Sequence, residues 1–182
     1  MACVGNIRRM QAALQHLIDA IQTASREQRP VRLRGGGTKD FLGQSLTGEV
    51  LDTRTYSGVV SYEPTELVVT VRGGTPLAEL QALLATKGQS LAFEPPHLGD
   101  PATGAATVGG MVAAGLSGPS RASVGAVRDF ILGAQVVNGR GELLTFGGQV
   151  MKKLRDGPAS RARCTQPLGW AAPAAQRQLL GT

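Results

Sequence analysis

The chain has 182 residues, 42% of them hydrophobic and 18% charged, which suits one domain with a buried core and excludes an extended disordered chain. No apolar run approaches the roughly 18–20 residues of a membrane-spanning helix. The net charge of +6 is uneven: residues 1–150 carry +1 and residues 151–182 carry +5, and that basic tail has no aromatic stacking platform or reading motif, so nucleic acid is not an expected partner.

Ile7, Met10, Leu14, Leu17, Ile18 and Ile21 recur at three- and four-residue spacing, which predicts an amphipathic helix from about Asn6 to Ser25. Pro30 ends it, and Val31 to Arg34 alternates apolar with basic as a short strand. Gly35, Gly36 and Gly37 follow at once, and Thr38 to Gly43 completes a tight loop. Further strands are expected at Glu49–Thr53, Gly58–Ser61 and Leu67–Arg72. Thr75 and Pro76 read as N-cap and first residue of a helix striped by Leu77, Leu80, Leu83 and Leu84 and closed by Gly88. Residues 89–127 read as loop and short helix. Phe130–Val137, the turn Asn138-Gly139-Arg140-Gly141, and Glu142–Phe146 form a hairpin. The pattern is α+β.

Three segments could carry chemistry. A strand running into Gly35-Gly36-Gly37 lets backbone N–H groups converge on an anion, diphosphate being the natural guest, because no Cβ stands in the way. It is neither a P-loop nor a dinucleotide fingerprint, and such a turn serves equally well as a plain structural bend. Thr107-Val108-Gly109-Gly110, running on to Ser117-Gly118, offers a second glycine-rich approach, or close helix packing through small residues. Two approaches about seventy residues apart favour an extended ligand clasped from two sides. Arg128 and Asp129 read as a loop-fixing ion pair, and His97 as a lone histidine in a rigid Glu94-Pro95-Pro96 turn.

Cys3 and Cys164 have no metal-ligand spacing and read as free thiols of a reducing cytoplasm; no metal site is expected. There is no nucleophile elbow or kinase set. The scarcity of reactive side chains points to a borrowed cofactor.

Taken in order, Arg34 to Gly43 (RGGGTKDFLG), Tyr62 to Leu67 (YEPTEL), Phe93 to His97 (FEPPH), Thr107 to Pro119 (TVGGMVAAGLSGP), Val127 to Gly133 (VRDFILG) and Phe146 to Lys152 (FGGQVMK) resemble the FAD-binding E subunits of bacterial glycolate oxidases. These belong to the PCMH-type, vanillyl-alcohol-oxidase-like flavoproteins. The resemblance covers about residues 7–152. It implies an α+β, PCMH-type FAD-binding domain of two α+β subdomains, the second incomplete here. It further implies a leading helix at 1–27, the domain proper at 28–152, and a cofactor between the subdomains. The residues implied to line it are Gly35, Gly36, Gly37, Thr38 and Lys39, with Phe41 and Leu42 beside them, and Thr107, Gly109, Gly110, Ser117 and Gly118 across from them. Some relatives tether FAD through a histidine in the first loop; Thr38 stands near that place, so noncovalent FAD is expected.

Similar proteins work with a flavoprotein D subunit and an iron–sulfur F subunit to oxidise glycolate, so the expected partners are those subunits and a small 2-hydroxy acid such as glycolate or lactate. A non-catalytic assembly role, or a non-functional truncated copy, is the other reading. No catalytic base is named in this chain. The expected location is the cytoplasm, or the periphery of the inner membrane through the complex.

After Lys152 the resemblance stops. The charge jump, the Ala/Arg/Pro/Gly bias and the loss of periodicity begin together, so residues 153–182 are expected to be an aberrant, disordered basic tail that follows a frameshift near Lys153, either real or an error of the sequence.

Overall fold

In the computed structural model, residues 2–45, 47–99, 106–148 and 163–170 are described, with side chains for 11–45, 47–99 and 106–148. The first helix, α1 (Ala2–Arg26), starts earlier than the periodicity predicts. It lies against two parallel strands, β1 (Val31–Arg34) and β2 (Glu49–Asp52), paired from Val31↔Glu49 to Arg34↔Asp52. Parallel strands need a crossover of a dozen or more residues, and here residues 35–48 supply it. That requirement puts the glycine loop at the C-terminal end of β1. Leu17, Leu51 and Tyr56 form the buried centre of this unit, with Leu14, Ile21, Val31 and Leu33 packed around it.

A second, larger core belongs to the rest of the chain. Strands β3 (Val59–Glu63) and β4 (Val68–Val71) pair antiparallel. Helix α2 (Leu77–Ala85) inserts Leu77, Leu80 and Leu84, all fully buried, beside Val69, Val71, Phe93, Val108, Met111 and Phe130. Full burial of each such leucine stabilises the fold by about 1.5–3 kcal/mol. The short helices α3 (Val108–Ala114) and α4 (Arg121–Val124) precede the predicted hairpin, β5 (Ile131–Val137) with β6 (Leu143–Gly147). Asn138 shapes its turn, its Oδ1 accepting from the N–H groups of Arg140 and Glu142 at 2.9 and 3.0 Å.

Thr75 is not the N-cap expected of it. Its hydroxyl turns inward, accepting from the Gly58 N–H at 2.8 Å and donating to the Gly58 carbonyl at 3.2 Å, and Pro76 occupies the cap position without a side-chain bond. Gly88 does end α2: at φ +64° it lets the Gln89 N–H reach the Leu84 carbonyl at 3.1 Å.

Arg163–Trp170 forms a strand, β7, lying between β4 and β5 and parallel to both, which gives a five-stranded sheet in the order β3-β4-β7-β5-β6. The remainder of the segment beyond residue 148 lies outside the described residues. β7 is an unusual central strand. Its Pro167, opposite Gln135, has no N–H to give to a ladder, and the register with β5 slips between Gln135 and Val136.

Candidate cofactor-binding site

The glycine loop is held in a bend by charge. Two arginines that alternate along β1 both reach forward to one carboxylate: Arg34 Nε to Asp40 Oδ2 at 2.7 Å and Arg32 NH2 to Asp40 Oδ1 at 3.1 Å. Backbone bonds from the Asp40 N–H to the Gly37 carbonyl (3.1 Å) and from the Leu42 N–H to the Lys39 carbonyl (3.0 Å) tighten the bend. Gly37 sits at φ +71°, and the Cζ and Nε of Arg34 lie 2.7 and 3.0 Å from where its Cβ would be, so glycine is required on two grounds.

Among the described residues, no hydrogen bond is donated by the backbone N–H of Gly36, Gly37, Thr38 or Lys39. Four consecutive backbone donors without an acceptor among the described residues, two of them on glycines, suit phosphate oxygens. Lys39 stands at the end of the run, where partial burial lowers its pKa by penalising the charged form; an anion beside it would offset that penalty.

The start of the loop packs against the second unit. A Cβ on Gly35 would come within 2.7 Å of Thr107 Oγ1, and one on Gly99 (φ +89°) within 3.2 Å of Thr38 Cγ2. Thr38 is accordingly buried. The two glycine-rich segments thus meet, Gly35 against Thr107.

Thr107, Gly109 and Gly110 nonetheless serve differently from the expectation of exposed donors. Thr107 Oγ1 caps α3 by accepting from the Gly110 N–H at 3.2 Å, and the Gly109 N–H donates to the Gly73 carbonyl at 2.7 Å. Both donors are committed within the protein. A Cβ on Gly109 would sit 2.8 Å from that same carbonyl oxygen, so here glycine permits close packing, the other reading of this segment. Ser117 is buried with its hydroxyl fully engaged, donating to the Gly115 carbonyl at 3.1 Å and accepting from the Val127 N–H at 3.0 Å. Gly118, at φ +71°, packs on the Glu94 backbone, whose carboxylate accepts from the Ser120 N–H and hydroxyl.

Phe41 and Leu42 stand out from the loop, 69% and 55% exposed. His97 is exposed and meets Gln81 Oε1 through Nε2 at 2.8 Å. Arg128 and Asp129 approach only to 3.8 Å; Asp129 instead accepts from the Ala126 N–H at 2.7 Å. Reading the sequence alone missed the Arg32–Asp40–Arg34 clamp. The available signal was an acidic residue six positions beyond a strand that places two arginines on one face.

The FAD binding domain family model matches residues 12–147, about three-quarters of the chain. The chain belongs to that family. It is 46% identical over 147 residues to glycolate oxidase subunit GlcE of Escherichia coli, covering 81% of this chain and 41% of that protein. It is 29% identical over 139 residues to a D-lactate dehydrogenase of Archaeoglobus fulgidus, covering 72% of this chain and 29% of that one. Among solved structures, a Phl p 4 glucose dehydrogenase superposes with a TM-score of 0.58 at 22% identity, over 73% of this chain and 27% of the other. A berberine bridge enzyme in complex with (S)-reticuline gives 0.57 at 20% identity, over 72% and 26%. At such identities these show the fold alone, a PCMH-type FAD-binding domain of mixed helix and strand. The chain spans about two-fifths of the GlcE length and less than a third of the D-lactate dehydrogenase. The cofactor of the family, FAD, carries a diphosphate, and the open donors of Gly36–Lys39 fit that group.

Proposed function

We propose that this chain is the FAD-binding part of a glycolate oxidase, holding noncovalent FAD for the oxidation of glycolate to glyoxylate. The observation that carries the reading is the run of four backbone donors at Gly36–Lys39 without an acceptor among the described residues, next to Gly35 and its contact with Thr107, in a chain 46% identical to GlcE. Bound FAD would supply the two-electron acceptor for a 2-hydroxy acid. The chain's own residues bind and orient it. Gly35, Gly36, Gly37, Thr38 and Lys39 take the diphosphate, with Phe41 and Leu42 at the exposed rim of the loop. Thr107 packs against Gly35 at the start of the loop, and Gly109, Gly110, Ser117 and Gly118 shape the segment that carries Thr107. Thr38 offers a hydroxyl and no imidazole, which supports noncovalent attachment.

The partners that fit are a second flavoprotein subunit, the D subunit, and an iron–sulfur F subunit to which electrons pass. In the described residues no helix is long and apolar enough to cross a membrane, which accords with a cytoplasmic complex or one held peripherally at the inner membrane. The likeness to a D-lactate dehydrogenase favours one alternative, a different 2-hydroxy acid such as lactate, since the loop binds the cofactor and is indifferent to the substrate.

The deciding measurement is the visible spectrum of the purified 182-residue chain after gel filtration, with flavin and protein quantified together. Near-stoichiometric FAD on a monodisperse protein is expected. A folded, monodisperse chain that takes up no FAD at tens of micromolar would overturn the reading.

A further inference from the structure

We infer that Arg34 is itself a ligand for the anion received by the glycine loop, and that Asp40 is the positioning residue that aims it. The inference rests on the reading of the loop as a diphosphate site and adds an arginine to the backbone N–H groups and Lys39. Three observations carry it. The Arg34 guanidinium is folded over the apex of the loop, its Cζ 2.7 Å from the place a Gly37 Cβ would take. It spends Nε on Asp40 at 2.7 Å, while none of the hydrogen bonds among the described residues is donated by its NH1 or NH2. The N–H groups of Gly36 to Lys39 are open in the same bend.

A guanidinium beside four backbone donors supplies the charge that neutral amides lack, and its planar fork matches two phosphate oxygens at once. Asp40 fixes the fork. The Arg34 side chain is 40% exposed, its hydrogen-bond partner among the described residues is Asp40, and the second arginine, Arg32, holds Asp40 from the other side at 3.1 Å. Arrival of a diphosphate leaves the Nε–Asp40 bond in place and engages the remaining nitrogens.

The test uses the full chain, with FAD affinity from quenching of flavin fluorescence and inorganic pyrophosphate as competitor, across a range of salt. Arg34→Gln is expected to weaken both FAD and pyrophosphate about tenfold and to flatten the salt dependence, since one charge contact is lost. Arg34→Lys is expected to recover part of the loss. Asp40→Ala is expected to weaken FAD severalfold in the parent and to cause no further loss in the Arg34→Gln chain. Circular dichroism and Tm keep binding and folding apart.

Unchanged affinity and salt slope in Arg34→Gln, in a parent that binds both ligands, overturns the role of Arg34 and leaves the diphosphate site standing. Equal losses from Asp40→Ala with and without Arg34, or a gain in affinity, overturn the aiming role. A parent that binds neither FAD nor pyrophosphate overturns this inference together with the reading beneath it.

Discussion

Gly35 and Thr107 touch across the two cores: a single Cβ on Gly35 would bring carbon to 2.7 Å from the threonine Oγ1. The contact joins the loop after β1 to the cap of α3, elements built on separate hydrophobic clusters. Gly35→Ala should therefore destabilise by about 1–3 kcal/mol through overpacking, and Thr107→Ala by about 1 kcal/mol through loss of the cap. The double variant should lose less than the sum, because removing the hydroxyl makes room for the methyl. Chemical denaturation of the four chains measures this, and strict additivity would show that the two residues do not press on each other.

Ser117 separates a structural from a ligand role. Its hydroxyl is the acceptor for the buried Val127 N–H and is already donated to Gly115. Ser117→Ala should cost about 1–3 kcal/mol in stability, the penalty of an orphaned buried donor. FAD affinity per folded molecule should change less than twofold. A tenfold loss of affinity without loss of Tm would instead put the hydroxyl on the cofactor.

Thr75 makes a similar pair of bonds to both backbone groups of Gly58 and is fully buried. Thr75→Val keeps the shape and removes the bonds, so a loss of about 1–3 kcal/mol is expected. The helix signal in far-ultraviolet circular dichroism should be preserved below the transition, since Thr75 does not cap α2. Serine at this position should restore most of the stability.

Lys39 gives the site a pH dependence of defined sign. Partial burial lowers its pKa from the ordinary 10.5, so in the free protein it gives up its proton earlier than a free lysine would as pH rises. The ammonium form is the one an anion prefers. FAD affinity should be greatest at pH values below the lowered pKa and should fall as pH climbs through it towards 10.5. In Lys39→Met the affinity should be weaker and flat across that window. A parent chain with flat affinity up to pH 10.5 would remove Lys39 from the site.

What could be read in the sequence and what could not divide along physical lines. The stripe of α1, the leucines of α2 and the Asn138–Gly141 turn depend on local periodicity and turn chemistry, and each appears where those rules place it, within a few residues. The glycine loop was legible as a tight bend at the end of β1, with an anion cradle and a plain structural turn as its two readings. The disposition of hydrogen bonds was not. Gly109 and Gly110 have the composition of a donor nest, yet their N–H groups are consumed by Gly73 and Thr107, and those acceptors are set by tertiary packing. Thr75 had the local credentials of an N-cap and was diverted to Gly58 by a strand seventeen residues away. The strand at Arg163–Trp170 could not be foreseen from a segment holding Pro167 and Gly169. What places it is the open position between β4 and β5.

One contact made by the first helix has a kinetic meaning. A Cβ on Gly141, in the turn of the last hairpin, would run into the side chain of Gln22 on α1, whose Nε2 and Cδ lie 3.0 and 3.1 Å away. The helix that covers the loop-bearing strands is thereby packed against an element formed from the far end of the domain. Such contacts of large sequence separation are made late and slow the search for the native state. During synthesis the Gln22 contact of α1 must wait for the hairpin to emerge. Amide protons at the centre of α1 and in β5 should then exchange in one cooperative opening, so that the two halves of the molecule behave as a single folding unit.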